Sequence, residues 1–442
     1  KLTFKGTAPI GQPLLSNERD SPRFLPLASV TNSLKVTING SSVESQYSSA
    51  LAGVLRYHVD HDTKEYDLSG SPSTQDNMQR YQDGVGGLRN PLANYQNSSS
   101  NGDTGRGCWQ FDTLVNPLSP DAGVTELTAT VLFKSTEQEA GLLGVKNMGI
   151  NMNFASGQLE RVWSRSPSAG VTLNSVVCSV GQGSTQPPQL HMQYFTPPLI
   201  SQGQIPRSIK YQYYKSEVFN NDMNVSLAPN ASQTFTNNAI QLSTVPKCIY
   251  IFATRTDNTK SYLTTDTFLR INSLSLSYLN VSGQFSSMPI ESLYNNLALK
   301  NGCKMSWTEW SGKSTTIGDA TVDGLCGSVL KITSDDLHLP SNVSSGMNIN
   351  SQLSYQIGLE NVNQVDALQV QITTVLVYDG MMVIENGSMA TKVGIISESQ
   401  VIQTRSDPKN YIEANPAGSS VGGSLYSPKG HMGGRRCGNG MK

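Results

Sequence analysis

The clearest shortage in this sequence is charge. Only 15% of its 442 residues are Asp, Glu, Lys or Arg, against about 25% in a typical protein. The net charge is -1, which gives no reason to expect electrostatic binding to nucleic acid, because such binding depends on an excess of cations. Charge is depleted in the cores of protein–protein interfaces, so extensive burial against partners would explain the shortage. A β-protein rich in Ser and Asn would explain it equally well.

Long apolar runs are also missing. No run approaches the ~18–20 residues that a membrane-spanning helix requires, and the basic start of the chain lacks the apolar centre of a signal peptide. The chain begins at Lys1 rather than Met, so we expect its natural N-terminus to be missing or processed. Hydrophobic residues make up 37% of the chain and the mean hydropathy is -0.30. These values predict a folded chain rather than a disordered one.

Closely spaced cysteine pairs are absent. Zinc sites and redox motifs usually need such pairs, and scattered cysteines are typical of a reducing compartment, where they act as small buried apolar groups. The six cysteines are Cys108, Cys178, Cys248, Cys303, Cys326 and Cys437. Asn-x-Ser sequons keep a secreted protein as an alternative. They begin at Asn39, Asn97, Asn224, Asn230, Asn280, Asn342 and Asn386.

Signatures of catalysis are lacking as well. The sequence has no G-x-S-x-G elbow, no P-loop and no G-x-G-x-x-G motif. A glycosidase would need two facing carboxylates, for which Glu309 and the pair Asp335-Asp336 are candidates; adjacent acids favour a loop or a cap instead. Trp307 and Trp310 could stack on sugars, but tryptophans beside a helix are more often core residues. We therefore predict no catalytic residue, no cofactor and no enzymatic activity.

One short segment resembles a metal site. On a strand, His58, Asp60 and Asp62 would share one face, because side chains alternate between the two faces. No second cluster supplies further ligands, and acidic polar loops are common. We predict that no metal is bound here.

A repeated passage is the most informative feature that is present. Residues 142–158 and 268–284 keep the same apolar alternation and both end in Ser-Gly-Gln. The shared Ser is residue 156 in the first copy and residue 282 in the second, so the copies lie 126 residues apart. Solenoid repeats run roughly 20–50 residues, so this spacing indicates a whole domain used twice. The prediction is that the two passages form equivalent strand pairs.

Period-two alternation predicts many short strands. The run at residues 34–38 ends at Asn39-Gly40, a strong hairpin signal. Further strands are predicted at residues 127–133, 171–177, 190–194, 209–213, 249–252, 268–279, 329–332, 353–359 and 368–377. Strands separated by Gly, Pro, Asn and Ser favour sandwiches over βαβ units.

Helical spacing follows both copies of the repeat. Leu159, Val162 and Trp163 fall at i, i+3 and i+4 after the first copy, and apolar residues at 290–297 do so after the second. Ser287 is available as the N-cap of the second helix. Each copy is therefore predicted to read as two strands followed by a short helix.

The order of motifs in the second half resembles a known family. The chain is similar to the double jelly-roll major capsid proteins of the lineage that joins adenoviruses, virophages, polinton-like viruses and large eukaryotic DNA viruses. The resemblance rests on residues 246–255, 267–271, 293–294, 301–302, 307–310 and 327–332, with weaker matches at 34–40 and 190–197. It covers about residues 30–395.

This resemblance implies an all-β fold of two tandem eight-stranded jelly-roll sandwiches with short helices in the inter-strand loops. The expected divisions are an N-terminal arm at 1–26, a first jelly roll at 27–200 with a long loop insertion at 63–107, a second jelly roll at 201–395 and a Gly- and Ser-rich tail at 396–442. It implies a major capsid protein that trimerises into pseudo-hexameric capsomers and builds an icosahedral shell in the virion.

The implied partners are the other two chains of a homotrimer, neighbouring capsomers, penton proteins, minor or cement proteins, and an internal membrane as a further candidate. The tail carries Arg435 and Arg436, but two arginines are too few to predict specific nucleic-acid binding. The alternative hypothesis is a secreted or surface carbohydrate-binding β-sandwich protein, for which the sequons and Trp307 and Trp310 are the motivation.

Overall fold

Antiparallel strands dominate the structure, because apolar and polar residues alternate along most of the chain. The computed structural model describes residues 2–9, 14–15, 20–23, 29–46, 48–58, 112–115, 123–126, 144–155, 157–165, 170–178, 208–312, 315–317, 320–322, 327–339, 343, 345–363, 366–385 and 387–393. In the first half the strands are β1 (Leu2–Thr7), β2 (Asp20–Pro22), β3 (Thr31–Ile38), β4 (Ser41–Gln46), β5 (Asp112–Val115), β6 (Gly123–Glu126), β7 (Met148–Phe154), β8 (Trp163–Arg165) and β9 (Thr172–Cys178).

The second half contains longer strands and, in its described residues, two α-helices, one π-helical turn and one 3₁₀ turn at Asp257–Thr259. Its strands are β10 (Ser208–Leu227), β11 (Ser232–Thr236), β12 (Ile240–Thr244), β13 (Cys248–Arg255), β14 (Arg270–Tyr278), β15 (Val281–Gln284), β16 (Thr315–Ile317), β17 (Ala320–Val322), β18 (Val329–Thr333), β19 (Asn348–Glu360), β20 (Leu368–Glu385) and β21 (Ser388–Val393). The α-helices within the described residues are α1 (Ser48–His58) in the first half, and α2 (Ile290–Tyr294), which continues as a π-helical turn over Asn295–Leu299, and α3 (Trp307–Ser311) in the second.

The second half folds as a two-sheet sandwich. One sheet has the order β10-β20-β13-β18, with β21 also pairing with β20. The facing sheet has the order β11-β19-β14-β15. The short strands β11 and β12 pair with successive segments of β19, so together they occupy one strand position. These eight strand positions form the jelly roll that the sequence predicts. A continuous core of buried aliphatic and aromatic side chains lies between the sheets.

The first half repeats this topology in its described residues. The sheet order β9-β1-β6 corresponds to β20-β13-β18, and the order β7-β3-β4 corresponds to β19-β14-β15. All of these neighbours are antiparallel. The chain therefore uses one strand topology twice, as the sequence predicts, and every predicted strand that lies within the described residues is observed. The predicted strands at 127–133 and 190–194 lie outside them.

The repeated passages are not equivalent strand pairs, and that prediction is wrong. Residues 268–284 form the hairpin β14–β15, whereas residues 142–158 contribute one strand, β7, which is the counterpart of β19. The true counterpart of the hairpin is β3–β4. Any half-buried strand alternates apolar and polar residues, so a match in alternation cannot distinguish one strand from another.

Both equivalent hairpins close through two residues in the left-handed region. Asn39 and Gly40 have φ of 49° and 86°, and Leu279 and Asn280 have φ of 51° and 61°. Positive φ at both central residues matches the right-handed twist of the flanking strands. The turn predicted at Asn39-Gly40 is confirmed, and its partner was not predicted because leucine rarely adopts positive φ.

The helices differ from the prediction in two places. The helix of the first half is α1, which follows β4 and not the first repeated passage. At residues 159–163, where a helix was predicted, there is only a 3₁₀ turn, Leu159–Val162. Trp163 begins β8 and pairs with Pro22. Strand pairing therefore overrides the local helical spacing. The helix α2 has Pro289 as its N-cap rather than Ser287. Ser287 lies inside a turn that is closed by the Met288 amide, which donates to the Phe285 carbonyl oxygen at 3.0 Å.

The predicted N-terminal arm also requires correction. Residues 2–7 form β1, which pairs with both β6 and β9. Phe4 is fully buried in the core of the first unit and packs edge-on against Trp163, with ring centroids 4.8 Å apart. The strand was missed because it is short, contains Gly6 and is followed by Pro9, and both residues weaken its signal. The 63–107 insertion and the 396–442 tail lie outside the described residues.

Candidate functional site

His58 does not occupy the strand that the metal hypothesis requires. It is the last residue of α1, and its Nε2 lies 2.8 Å from the Tyr250 hydroxyl. Partial burial, together with the nearby Lys331 ammonium, lowers the pKa of His58. Asp60 and Asp62 lie outside the described residues. Within the described part of the chain, no three His, Cys, Asp or Glu side chains converge as metal ligands would.

The acidic residues considered for catalysis hold local structure. Glu309 completes a capping box at the start of α3, where its Oε2 accepts from the Ser306 amide at 2.9 Å. Asp336 closes a turn, because its Oδ2 accepts from the Thr333 amide at 2.9 Å and from the Asn301 side-chain amide at 2.7 Å. The interpretation of Asp335-Asp336 as a loop feature is therefore confirmed for Asp336.

The tryptophan pair belongs largely to the core. Trp310 is fully buried, and its Nε1 donates to the Val329 carbonyl oxygen at 2.9 Å. Trp307 stacks on it with ring centroids 5.8 Å apart and remains 36% exposed. Cys248 and Cys303 are buried free thiols, as predicted for scattered cysteines.

The structure instead brings buried aromatic and charged residues together at the junction between the two sandwiches. Strand β13 is buried on both faces. Ile251 pairs with Thr374, whose hydroxyl lies 2.6 Å from the Tyr355 hydroxyl in the opposite sheet, so this face points into the sandwich. Tyr250 and Phe252 alternate with Ile251 and face outward, where α1 of the first sandwich covers them.

Gly53 allows α1 to lie directly on this outer face. A Cβ atom at Gly53 would stand 2.4 Å from Cε1 of Phe252, which is far inside van der Waals contact. One turn later, the Arg56 guanidinium lies 4.2 Å from the centroid of the Phe268 ring. This distance is that of a cation–π contact, which is stronger when it is desolvated; Arg56 is 3% exposed.

Tyr57 anchors the end of α1 in the second sandwich. It is fully buried, its hydroxyl donates to the Ala298 carbonyl oxygen at 2.6 Å, and its backbone oxygen accepts from the Lys304 amide at 3.0 Å. Its ring meets Tyr250 edge-on, with centroids 5.6 Å apart. Burial raises the pKa of the Tyr57 hydroxyl, so the group remains a hydrogen-bond donor at ordinary pH.

The second sandwich contributes a reciprocal insertion. The 256–267 loop, which joins β13 to β14, places Tyr262 in the core of the first sandwich beside Phe4 and Trp163. The Tyr262 hydroxyl donates to the Leu173 carbonyl oxygen at 2.5 Å, and its own carbonyl oxygen accepts from the Arg165 amide at 2.9 Å. Each sandwich thus completes the core of the other.

A buried ion cluster fixes the same loop. Asp266 accepts a hydrogen bond from the Arg161 guanidinium and lies 3.6 Å from Nη1 of Arg23. Arg23 also donates to the Thr264 carbonyl oxygen. Burial alone would raise the pKa of Asp266, but the cationic groups of Arg161, Arg23 and Lys260 outweigh it and hold that pKa well below its usual range. The carboxylate is therefore ionised and joins the two sandwiches.

A third buried contact joins the two sandwiches beside the first two. Ile38 packs with Ile384 and Met389 in a separate buried cluster. The Ser41 hydroxyl donates to the Met389 carbonyl oxygen at 2.6 Å. Three buried contacts therefore hold the sandwiches in one relative orientation.

The close approach at Gly53 gives a direct test of this junction. We expect Gly53→Ala to lower the free energy of unfolding by about 1–3 kcal/mol, the usual cost of overpacking, although alanine is the better helix former. The measurement is urea denaturation. Gly149→Ala is the control, because its Cβ would meet its nearest neighbour, Thr37 Cβ, at an ordinary 3.8 Å. A stability of Gly53→Ala equal to that of the control would contradict the contact.

Sequence reasoning missed the junction, although two signals for it were present. The apolar run at 248–253 does not alternate, which is typical of a strand that is buried on both faces. A glycine in the middle of a helical segment, here Gly53, often has a packing reason. Neither signal identifies the part of the chain that makes the contact.

Comparison with known proteins places this architecture in a family. The family model for the C-terminal domain of major capsid protein V20 matches residues 214–380, and the model for the first domain of the Sputnik virophage major capsid protein matches residues 1–133. Capsid protein V20 of Sputnik virophage is 30% identical over 416 residues, which cover 90% of this chain and 69% of that protein. The chain belongs to the virophage major capsid protein family.

Solved structures agree with this membership. A chain in the cryo-EM structure of the Sputnik virophage matches with a TM-score of 0.76 and 28% identity, over 93% of this chain and 85% of that one. The mavirus major capsid protein shares the fold, with a TM-score of 0.66, 15% identity and coverage of 91% of this chain and 85% of that one. The prediction of two jelly rolls is confirmed.

Family membership settles the main functional question. The protein is a major capsid protein, a structural subunit of a virus shell, and it resides in the virion. The family therefore favours the capsid hypothesis over the carbohydrate-binding sandwich that was its alternative. Among the described residues, no helix combines the length and the apolarity needed to cross a bilayer.

Proposed function

We propose that this capsid subunit works as a homotrimer whose six jelly rolls form a pseudo-hexameric capsomer of an icosahedral shell. The observation that carries this proposal is the repeated topology, β9-β1-β6 with β7-β3-β4 and β20-β13-β18 with β19-β14-β15. Two similar units in one chain, repeated around a three-fold axis, give a nearly six-fold ring.

The junction supports this role because a capsomer needs a fixed angle between its two units. The insertions of Tyr57 and Tyr262 and the buried Asp266 cluster are contacts between packed cores, which are not continuously deformable. Interfaces between independent domains are more polar and permit relative motion. The chain is thus suited to act as one rigid third of a ring.

Further partners follow from the same proposal. We propose contacts with neighbouring capsomers, with penton proteins and with minor or cement proteins, and an internal membrane beneath the shell is a further candidate. The boundary between the two units near residue 200, with β1 included in the first unit and the 396–442 tail as an assembly segment, is part of this proposal. No catalytic step is required, because burial of apolar surface drives association.

Sedimentation of the purified chain tests the trimer. We expect a species of three times 47.7 kDa, and negative-stain images of that species should show a nearly hexagonal outline. Sedimentation at several chain concentrations separates a stable trimer from weak association. A chain that sediments as a monomer up to high micromolar concentration would contradict the proposal.

A further inference from the structure

The two helices that follow the equivalent hairpins can be aligned on their sequences. Leu51 and Leu55 in α1 have the same spacing as Leu293 and Leu297 in α2 and its π-helical turn. In the second sandwich both leucines are buried, at 0% and 1% exposure. This alignment places one further residue of the second helix at the position of Tyr57, two residues beyond the second leucine.

That residue is Leu299, and its environment differs sharply from that of Tyr57. Tyr57 is fully buried against the second sandwich, whereas Leu299 is 50% exposed. It is one of six large hydrophobic residues with substantial exposure in the described part of the chain. The helix of the second sandwich therefore presents an apolar side chain at the position where the helix of the first sandwich makes its main contact.

The surface that would receive such a helix is exposed at Lys5 and Val177. Within the chain, α1 covers the outer face of β13, and the counterpart of β13 is β1. Thr3 and Lys5 flank the buried Phe4, so they lie on the outer face of β1. Val177 pairs with Thr3 in β9 and lies on the same face, where it is 49% exposed.

We propose that one edge of the second helix, formed by Asn295, Asn296 and Leu299 and called the helical edge below, docks on the outer face of β1 in a second copy of this chain. This contact repeats between chains the contact that α1 makes within the chain. It deepens the trimer proposal and rests on it. A heterologous contact of this kind uses a different surface on each partner, so three successive copies can close a ring without leaving either surface exposed.

The chemistry of the two surfaces fits this occupant. The helical edge offers Leu299 among neutral and exposed Asn295 and Asn296, and the receiving face offers Thr3 and Val177 with Lys5 at its margin. Val177 supplies the apolar surface, and the Lys300 ammonium beside Leu299 is already paired with Asp336 at 2.9 Å. A carboxylate introduced at Leu299 would be desolvated in the contact at a substantial cost.

The decisive experiment is Leu299→Glu in the full chain, compared with Leu263→Glu. Leu263 is 41% exposed and lies in the 256–267 loop, which the proposed contact does not include. We expect the chain concentration at half-dissociation of the trimer to rise roughly ten-fold or more for Leu299→Glu, and to stay near that of the unmodified chain for Leu263→Glu. Thermal unfolding should show that both variants fold.

Crosslinking provides a second measurement that does not depend on stability. Leu299→Cys combined with Thr3→Cys should give covalently linked chains with a short bis-maleimide, whereas Leu263→Cys with Thr3→Cys and the single variants should not. Unchanged trimer affinity of Leu299→Glu, or no specific crosslink, overturns this contact while the trimer itself stands. An unmodified chain that is monomeric overturns both proposals.

Discussion

Replacement of Asp266 by alanine is expected to lower the free energy of unfolding by about 3–5 kcal/mol, the cost of removing one partner from a buried ion pair. Arg161 and Arg23 are 6% and 3% exposed, so water cannot replace the carboxylate that they share. The loss should act on the junction, because Asp266 belongs to the second sandwich and both arginines belong to the first.

Urea denaturation of Asp266→Ala measures this effect, and Asp379→Ala is its control. Asp379 also pairs with a cation, Lys247 at 3.1 Å, but these two side chains are 39% and 43% exposed. Surface pairs of this kind contribute about 0–1 kcal/mol. Equal destabilisation by the two variants would show that the Asp266 ion pairs contribute no more to stability than a surface ion pair does.

Acid should reproduce the same loss in the unmodified protein. Because the pKa of Asp266 is lower in the folded chain than in the unfolded one, its contribution is complete above the unfolded value of about 3.9 and declines as the pH falls below it. Asp266→Ala should therefore lose less stability than the unmodified chain on acidification through that range. Parallel pH profiles for the two proteins would contradict this assignment.

The second large effect is expected at Tyr57. Tyr57→Ala should cost about 3–5 kcal/mol, the range for truncating a buried aromatic side chain, because it empties a site between α1 and the second sandwich. Tyr57→Phe keeps the ring and removes the donor to the Ala298 carbonyl oxygen, so it should cost about 1 kcal/mol. Both values come from urea denaturation.

The control for this series is Tyr214→Ala, at a tyrosine that is 50% exposed. Surface substitutions usually change stability by within about 0.5 kcal/mol. If Tyr57→Ala behaved like Tyr214→Ala, then α1 would not be anchored in the second sandwich. The proposed Leu299 contact would then lose its main support, because it is inferred from the contact that Tyr57 makes within the chain.

The fold followed largely from local sequence patterns. Alternation of apolar and polar residues over 34–38, 353–359 and 368–377 identifies strands because successive side chains of a strand point to opposite faces of the sheet. The Asn39-Gly40 turn is equally local, since its conformation depends on two residues. The ordered motifs of the second half then indicated the family, which the relatives confirm.

The errors share one cause, which is that local patterns do not identify partners. The passage 142–158 was matched to a hairpin because β7 alternates as β14 does, although β7 pairs with β3. Trp163 has helical spacing from Leu159, but pairing with Pro22 makes it a strand residue. Residues 2–7 were assigned to an arm because nothing local shows that β9 lies beside them.

The sequence by itself determined that this protein is an all-β chain with little charge, because alternation, turn residues and composition are local properties. Only the tertiary structure decided that α1 enters the second sandwich, that Tyr262 enters the first, and that Asp266 joins them. These contacts link residues that lie about 100 to 240 positions apart in the chain. Such separations leave no periodic trace in the sequence, so the folded chain alone reveals them.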